Sequence, residues 1–166
     1  ALEREDTAFS AALALAALGD GRGEPVLIRS LADRTIALEA AEALGEVATE
    51  RGLEALAFTA ARLFTPLLIR AAVGKALARR GDWRGEPALD RVLRAWRPDG
   101  RDYAIEAVGK LGLTGLVPAL ARLSERLRGA DPVLLADALH ALSTTSDEAK
   151  RALDELRSRH QLPEPS

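Results

Sequence analysis

Apolar and small residues recur three and four positions apart along almost the whole chain. In the segment 39–56, EAAEALGEVATERGLEAL, leucines and alanines keep this spacing on both sides of a glycine. That period places them on one face of an α-helix and leaves the charged residues on the opposite face. The pattern therefore predicts amphipathic helices joined by tight turns.

A longer period is superimposed on the helical one. The stretch GDxRGEP occurs twice, beginning at Gly19 and again at Gly81. If its second glycine (Gly23 or Gly85) marks the phase of a unit, equivalent positions recur at intervals of about 31 residues, within the range of stacked repeats. Each unit is predicted to be a helix, a turn and a second helix. Since one such pair cannot bury its apolar stripe alone, we expect neighbouring pairs to stack into a continuous core.

The spacing and the chain breakers together predict ten helices in five pairs. The first helices of the pairs are predicted at 3–18, 34–50, 66–80, 101–111 and 132–143. The second helices are predicted at 24–32, 52–63, 85–97, 115–128 and 147–160. The corresponding units of a single domain, 1–161, are about 1–33, 34–64, 65–98, 99–129 and 130–161. Residues 162–166 are predicted to be a tail or linker because two prolines in a short polar stretch cannot continue a helix.

Capping residues predict where several helices begin. In Thr65–Pro66 and Asp131–Pro132 a capping side chain precedes a proline suited to the first helical position. Thr145 with Glu148 forms a capping box for the last helix. Asp33 is expected to cap the helix that starts the second unit.

Composition narrows the class of protein. Ala, Leu, Arg and Glu dominate, whereas aromatic residues make up only 4% of the chain, which favours an all-α fold. The net charge of −2 argues against a dedicated nucleic-acid binder, and the absence of cysteine excludes disulfides and thiolate chemistry. No apolar run approaches the roughly 20 residues of a membrane span, so we expect a cytoplasmic protein. Methionine is absent even at position 1, which favours a domain excised from a longer chain.

The segments 39–56, 71–93 and 105–123 follow, imperfectly, a pattern of two small residues, Leu-Gly, a turn and then Pro-Ala-Leu. Leu-Gly is present in the first and third segments, and Pro-Ala-Leu in the second and third. This pattern resembles HEAT-like repeats, in the short variety also found in phycobilin lyases. The resemblance implies a right-handed α-solenoid of about five helical hairpins. It also implies that the second helix of each hairpin lines a concave surface.

The sequence offers no readable catalytic, metal or cofactor site. His140 and His160 lack metal-ligand spacing, and the closely spaced Glu39, Glu42 and Glu46 are typical of a solvated helix face. The glycine-rich GDGRG segment lacks the order of a phosphate-binding loop and is predicted to be a turn between helices. We therefore predict no catalytic residue, no metal and no cofactor.

Arginines form the main candidate recognition feature. Their excess lies on the second helices of the last three units, and if the stack is regular they form a mildly basic groove. Two tryptophans flank this region and are candidate partner anchors, although Trp96 also suits a core position and Trp83 either setting. The candidate partner-binding residues are Arg91, Arg94, Arg122, Arg126, Trp83 and Trp96. The alternative is that the arginines form a structural ladder, with Arg29, Arg91, Arg122 and Arg151 lying across neighbouring units.

These features favour a non-enzymatic scaffold that binds a protein or peptide partner, possibly acidic, through the second-helix face. Two other functions stay open at this level. One is a nucleic-acid-binding or base-processing array, as in alkylpurine glycosylases built from HEAT-like repeats. The other is an enzyme subunit resembling the phycobilin lyases, which rests on the repeat alone.

Overall fold

The computed structural model describes residues 2–162, with side chains from Asp6 onward. This part of the chain forms ten α-helices, with two short 3₁₀ turns at Gly21–Gly23 and Thr114–Leu116, and no strand. The first five helices are α1 Leu2–Ala17, α2 Glu24–Ser30, α3 Ala37–Val47, α4 Glu50–Ala61 and α5 Leu67–Arg79. The other five are α6 Gly85–Arg94, α7 Arg101–Leu111, α8 Val117–Glu125, α9 Pro132–Ser143 and α10 Asp147–His160.

The all-α class predicted from the sequence is confirmed, and all ten predicted helices are present. Several are shorter than predicted: α3 begins at Ala37, α6 ends at Arg94 and α8 ends at Glu125. The right-handed solenoid of five hairpins stays a prediction, as does the single domain. The predicted tail lies almost entirely beyond the described residues.

The chain divides into two compact units, residues 1–88 and 89–166, and the division falls inside α6. In the first unit α1 packs against α3, and α3 packs against α5. The intervening helices form a second layer, in which α2 contacts α4. This order is that of stacked helical hairpins, because α1 contacts α2, α3 contacts α4, and equivalent helices of successive hairpins contact each other.

The second unit repeats this order with different helices. Here α7 packs against α9, and α8 packs against α10. The α9 helix also contacts both α8 and α10, so the two layers are joined. The core of the unit is formed by aliphatic side chains such as Ile105, Leu120 and Leu139, which are fully buried.

Small residues allow helices of the same layer to approach closely. An added Cβ at Gly45 of α3 would lie 3.3 Å from the Cα of Ala76 in α5. An added Cβ at Gly109 of α7 would lie only 2.8 Å from the Cα of Ala138 in α9. The two units therefore use the same glycine-on-alanine contact, which leaves no room for a larger side chain.

The capping predictions were partly correct. Asp131 does cap α9, since its carboxylate accepts hydrogen bonds from the amides of Val133 and Leu134. The capping residue of α10 is Ser146, whose hydroxyl accepts from the amide of Ala149, and the prediction of Thr145 was therefore wrong by one residue. Thr145 instead donates its hydroxyl to the carbonyl of Leu142 at the end of α9.

Two other predicted caps were wrong because a different local bond satisfies each side chain. Thr65 donates its hydroxyl to the carbonyl of Thr59, and the residue before α5 is Pro66. Asp33 accepts hydrogen bonds from the amide and hydroxyl of Thr35, which closes a turn before α3 begins. Such local side-chain bonds compete with helix capping in Asp, Ser and Thr.

Candidate functional site

A cavity of about 400 Å³ lies beside α6 and α8 in the second unit. Leu93, Ala119 and Leu123 form its apolar floor. Its charged rim consists of Arg94, Arg122, Glu125, Arg126 and Arg128. We call this cavity with its lining the basic groove, because four of the five charged residues on its rim are arginines.

The arginines converge because they lie at the ends of two helices. Arg122 lies in the last turn of α8 and Arg126 is the extended residue that directly follows this helix, while Leu120 and Leu123 are buried in the core. Arg94 is the last residue of α6, and its Nε lies 2.6 Å from a carboxylate oxygen of Asp90, one turn earlier. Arg128 follows in the loop after α8 and completes the rim.

The arginines of the rim are unevenly paired. Arg94 is engaged by Asp90, whereas within the described residues neither Arg122, Arg126 nor Arg128 has a side-chain hydrogen bond or an ion pair. Glu125 is the one acidic residue among those that line the groove. Clustered like charges without counter-charges favour binding of an anion from solution.

A buried arginine supports the groove from beneath. The side chain of Arg101, the first residue of α7, is fully buried, and its guanidinium donates to the carbonyls of Ala95, Arg97 and Arg128. Ala95 and Arg97 follow α6, whereas Arg128 follows α8, so this one side chain ties together the two segments that carry the rim. Burial and the nearby charge of Arg128 lower the pKa of Arg101. An arginine stays protonated under such conditions, so Arg101 adds a positive charge below the groove.

The first unit contains an equivalent arginine at the same repeat position. The buried Arg70 of α5 donates from Nε to the carbonyl of Ala60 at 3.1 Å and from Nη2 to the carbonyl of Arg62 at 2.6 Å. These carbonyls belong to the end of α4, the helix that precedes α5. In both units a buried arginine near the start of one helix thus satisfies the free carbonyls at the end of the helix before it.

Sequence reasoning missed this pair of buried arginines, Arg70 and Arg101. The available signal was a charged residue that recurs at the repeat interval on an otherwise apolar stripe. Such a residue is expected on the solvent side, because arginine is almost never fully buried unless its donors are satisfied. Here backbone carbonyls accept from both terminal nitrogens of Arg101, although its buried Nε has no hydrogen-bond partner within the described residues. The fold rather than the local pattern brings those carbonyls together.

The six predicted partner-binding residues are all exposed but do not all lie together. The structure places Arg94, Arg122 and Arg126 on the basic groove. Arg91 is exposed on α6 but does not line the groove. The core position considered for Trp96 was wrong, since this side chain is 85% exposed just after α6, and Trp83 is 78% exposed in the turn before α6.

The alternative of an arginine ladder is not seen in the part of the chain that the structure describes. No hydrogen bond or ion pair there joins the side chains of Arg29, Arg91, Arg122 or Arg151 to a neighbouring helix. The ladder lies instead on the first-helix layer, where Lys75 contacts Glu42 at 3.7 Å and Arg79 contacts Glu46 at 2.7 Å. These pairs explain the closely spaced glutamates of α3 as a solvated face with basic neighbours.

Metal binding, histidine chemistry and membrane insertion are the other kinds of site on which the described residues bear. Among the described residues, no three His, Asp or Glu side chains come close enough together to hold a metal ion. Both histidines are exposed. No helix between residues 2 and 162 is at once long enough and apolar enough to cross a bilayer.

Comparisons of this chain with protein-family models, with curated proteins and with solved structures found no match. The interpretation of the basic groove therefore depends on its own geometry and charge.

Proposed function

We propose that this chain is a non-enzymatic binding module that holds an acidic segment of a protein partner in the basic groove. The observation that carries the proposal is the convergence of Arg122, Arg126 and Arg128 on one cavity, where within the described residues none of the three makes an ion pair. The rim arginines supply forked donors that match carboxylate geometry.

The HEAT-like interpretation belongs to the same proposal. It is supported by the order of helix packing inside each unit and by the repeated GDxRGEP turn. A right-handed array of about five hairpins would present the extended surface on which such arrays bind their partners.

The proposal is tested with a fluorescein-labelled peptide rich in Asp and Glu, whose binding is followed by fluorescence anisotropy at low and moderate salt. The double variant Arg122→Glu/Arg126→Glu reverses two charges on the groove. We expect it to weaken binding by at least about tenfold, because truncating or reversing a close charge pair costs 2 kcal/mol or more. Circular dichroism checks that the variant keeps its helical content.

Two controls separate the groove from general charge. Lys150→Glu/Arg151→Glu makes the same change in net charge on exposed residues of α10 that do not line the groove. Arg91→Glu changes an exposed arginine of α6 that is also outside the lining. Both should bind within about twofold of the wild type at moderate salt, where distant exposed charges are screened. An equal loss in the groove variant and in the α10 control contradicts the proposal.

A further inference from the structure

We propose that the basic groove selects a phosphorylated segment of its partner, with the dianionic phosphate held by Arg122, Arg126 and Arg128. This inference rests on the proposed function and names the ligand chemistry of the same site. Three features of the groove support it: its charge count, the buried arginine beneath it and the backbone conformation of Arg128.

The charge count favours a dianion over a carboxylate. A carboxylate brings one negative charge and two oxygens, which one guanidinium already satisfies by a two-pronged contact. A phosphate monoester brings nearly two negative charges and three strong acceptor oxygens to one point. Three guanidinium groups that make no ion pair with a described residue, offset by the single carboxylate of Glu125, leave a net positive charge of two on one cavity of about 400 Å³, which matches the second ligand better than the first.

The buried Arg101 removes an obstacle to anion binding. The carboxyl ends of α6 and α8 lie at the groove, and the free carbonyls at helix ends repel anions. Arg101 donates to the carbonyls of Ala95 and Arg97 beyond α6 and to the carbonyl of Arg128 beyond α8. The side chain therefore occupies these acceptors and adds its own positive charge to the site.

Arg128 lies in a conformation that arginine rarely adopts. Its φ of 51° is in the left-handed region, and the next residue, Gly129, has a φ of 85°. A glycine at position 128 would fit this backbone at no steric cost, whereas a side chain there is disfavoured. Because its carbonyl is fixed by Arg101, the strained residue keeps its side chain at the rim of the groove. Residues held in such backbone conformations cluster at active sites and ligand clamps.

The first experiment compares three labelled peptides of one acidic sequence that differ at a single position, which is phosphoserine, glutamate or serine. We expect the phosphoserine peptide to bind at least about tenfold more tightly than the glutamate peptide, because the phosphate adds negative charge and one more acceptor oxygen for a charge-assisted hydrogen bond. Equal affinities for phosphoserine and glutamate overturn this inference and leave the acidic-partner function standing. If none of the three peptides binds, both fail.

A fourth ligand distinguishes a phosphopeptide from a nucleic acid. A single-stranded oligonucleotide with the same label presents phosphate diesters, each with one charge and two free oxygens. We expect it to bind more weakly than the phosphoserine peptide at moderate salt. If the oligonucleotide binds more tightly and loses affinity steeply with salt, the groove serves nucleic acid and the inference is wrong.

Substitution of Arg128 separates ligand binding from folding. We expect Arg128→Gly to reduce the preference for phosphoserine over glutamate by at least about threefold while the melting temperature stays equal or rises, because the glycine relieves the left-handed strain. Arg91→Ala, on α6 outside the groove, should leave the preference unchanged. A preserved preference in Arg128→Gly contradicts the role of this arginine.

A second variant keeps the test decisive if Arg128→Gly fails to fold. Arg122→Lys/Arg126→Lys keeps both charges but replaces the forked guanidinium with a single ammonium point charge. We expect it to bind the serine peptide about as well as the wild type and to lose most of the phosphoserine preference. If the variant keeps the full preference for phosphoserine, positive charge alone is sufficient for that preference. This result would overturn the proposed phosphate-binding site.

Discussion

The two copies of the GDxRGEP turn, residues 19–25 and 81–87, allow one short sequence to be compared in two settings. In both, the first glycine is left-handed, with φ of 73° at Gly19 and 74° at Gly81. In both, the following aspartate donates its amide to a leucine carbonyl five residues earlier, at 2.9 Å from Asp20 and 3.0 Å from Asp82. This geometry ends α1 and α5 in the same way, by the glycine-dependent motif common at helix termini.

The side chains within each turn are also arranged alike. The carboxylate of Asp20 accepts from the amide of Arg22 at 2.9 Å, and the carboxylate of Asp82 accepts from the amide of Arg84 at 3.0 Å. Each arginine then folds back and pairs with the same carboxylate at 2.6 Å. The side-chain bonds of the turn are therefore local to its seven residues and are the same in both copies.

The two copies differ in how they contact the neighbouring repeat. In the first copy the buried Glu24 accepts from the amide of Thr49 at 2.7 Å and so caps the start of α4. In the second copy Arg84 takes the anchoring role and contacts Glu54 of α4 at 2.8 Å. Arg22 is accordingly 79% exposed and Arg84 only 27%. A repeated motif thus fixes its own backbone, while the adjacent helix decides which of its side chains carries the contact.

The largest expected loss of stability comes from substituting the glycine before Glu-Pro in each turn, Gly23 or Gly85. An added Cβ at Gly85 would lie 2.4 Å from the amide nitrogen of Ala78, and at Gly23 it would lie 2.7 Å from the Cα of Ala12. Both obstacles are helix backbone, so Gly85→Ala and Gly23→Ala should each lower the free energy of unfolding by about 1–3 kcal/mol, with Gly85→Ala the larger. Urea denaturation measures both. Gly21→Ala is the control, since its nearest contact would be an ordinary 3.7 Å, and it should change stability by less than about 0.5 kcal/mol.

The next largest loss of stability is expected at Glu24 but not at Glu86, the equivalent glutamate of the second turn. Glu24→Ala removes the acceptor of the Thr49 amide and hydroxyl, so it should lower the free energy of unfolding by about 1–3 kcal/mol. Glu86→Ala is the matched control at the equivalent position, where no described hydrogen bond is made, and it should cost less than about 0.5 kcal/mol. Equal losses in thermal denaturation would show that the two copies are anchored alike, contrary to the comparison.

A smaller loss of stability, which depends on pH, is expected when the aspartate of each turn is replaced by asparagine. Hydrogen bonds from the Arg84 side chain, with lesser help from its amide and charge, hold the pKa of Asp82 below its usual range, against the opposing effect of burial. A carboxyl whose pKa is lowered by folding stabilises the protein above its unfolded pKa and loses that contribution as pH falls through the folded value. Asp82→Asn should therefore cost about 1 kcal/mol at pH 7. The difference from the wild type should shrink below about pH 4.

The control for this prediction is Asp20→Asn in the first copy. Arg22 lowers the pKa of Asp20 in the same direction through side-chain and backbone hydrogen bonds, but this turn is far more exposed. We expect a smaller change in melting temperature from Asp20→Asn than from Asp82→Asn at pH 7. A larger effect at Asp20, or a stability difference at Asp82 that grows toward low pH, would contradict this account.

The helices were predictable from the sequence because each is defined by its own apolar spacing. Helix starts were less predictable where neighbouring side chains compete. Ser146 and not Thr145 caps α10, although both carry a hydroxyl, because only the backbone path decides which one reaches the amide of Ala149. Asp33 and Thr65 satisfy other local partners. Capping rules rank residue types, but they do not choose between adjacent candidates.

The candidate site was predictable only in part, for a different reason. The clustering of Arg94, Arg122 and Arg126 follows from repeat position and was found. Arg128 lies in the loop after α8 and has a left-handed backbone that no periodic pattern predicts for arginine. The support from Arg101 depends on carbonyls 6 and 27 residues away along the chain. Such contacts are set by tertiary packing, which a reading of helical periods does not include.

The smallest expected effect is the ion pair that distinguishes the second turn. Arg84 and Glu54 form a partly exposed pair, so its contribution should be about 0.2–1 kcal/mol at low salt. A double-mutant cycle with Glu54→Ala and Arg84→Ala isolates this energy. The cycle subtracts the free energy that each single substitution loses through its other contacts, above all the pairing of Arg84 with Asp82. The coupling should fall toward zero in high salt. A parallel cycle with Glu54→Ala and Arg22→Ala should give no coupling, since Arg22 contacts Asp20 in its own turn. If the Arg84 cycle also gives no coupling energy at low salt, the Arg84–Glu54 pair does not anchor the second copy, which is then held by the backbone of its turn alone. The two copies would then differ only in the anchoring contact of Glu24.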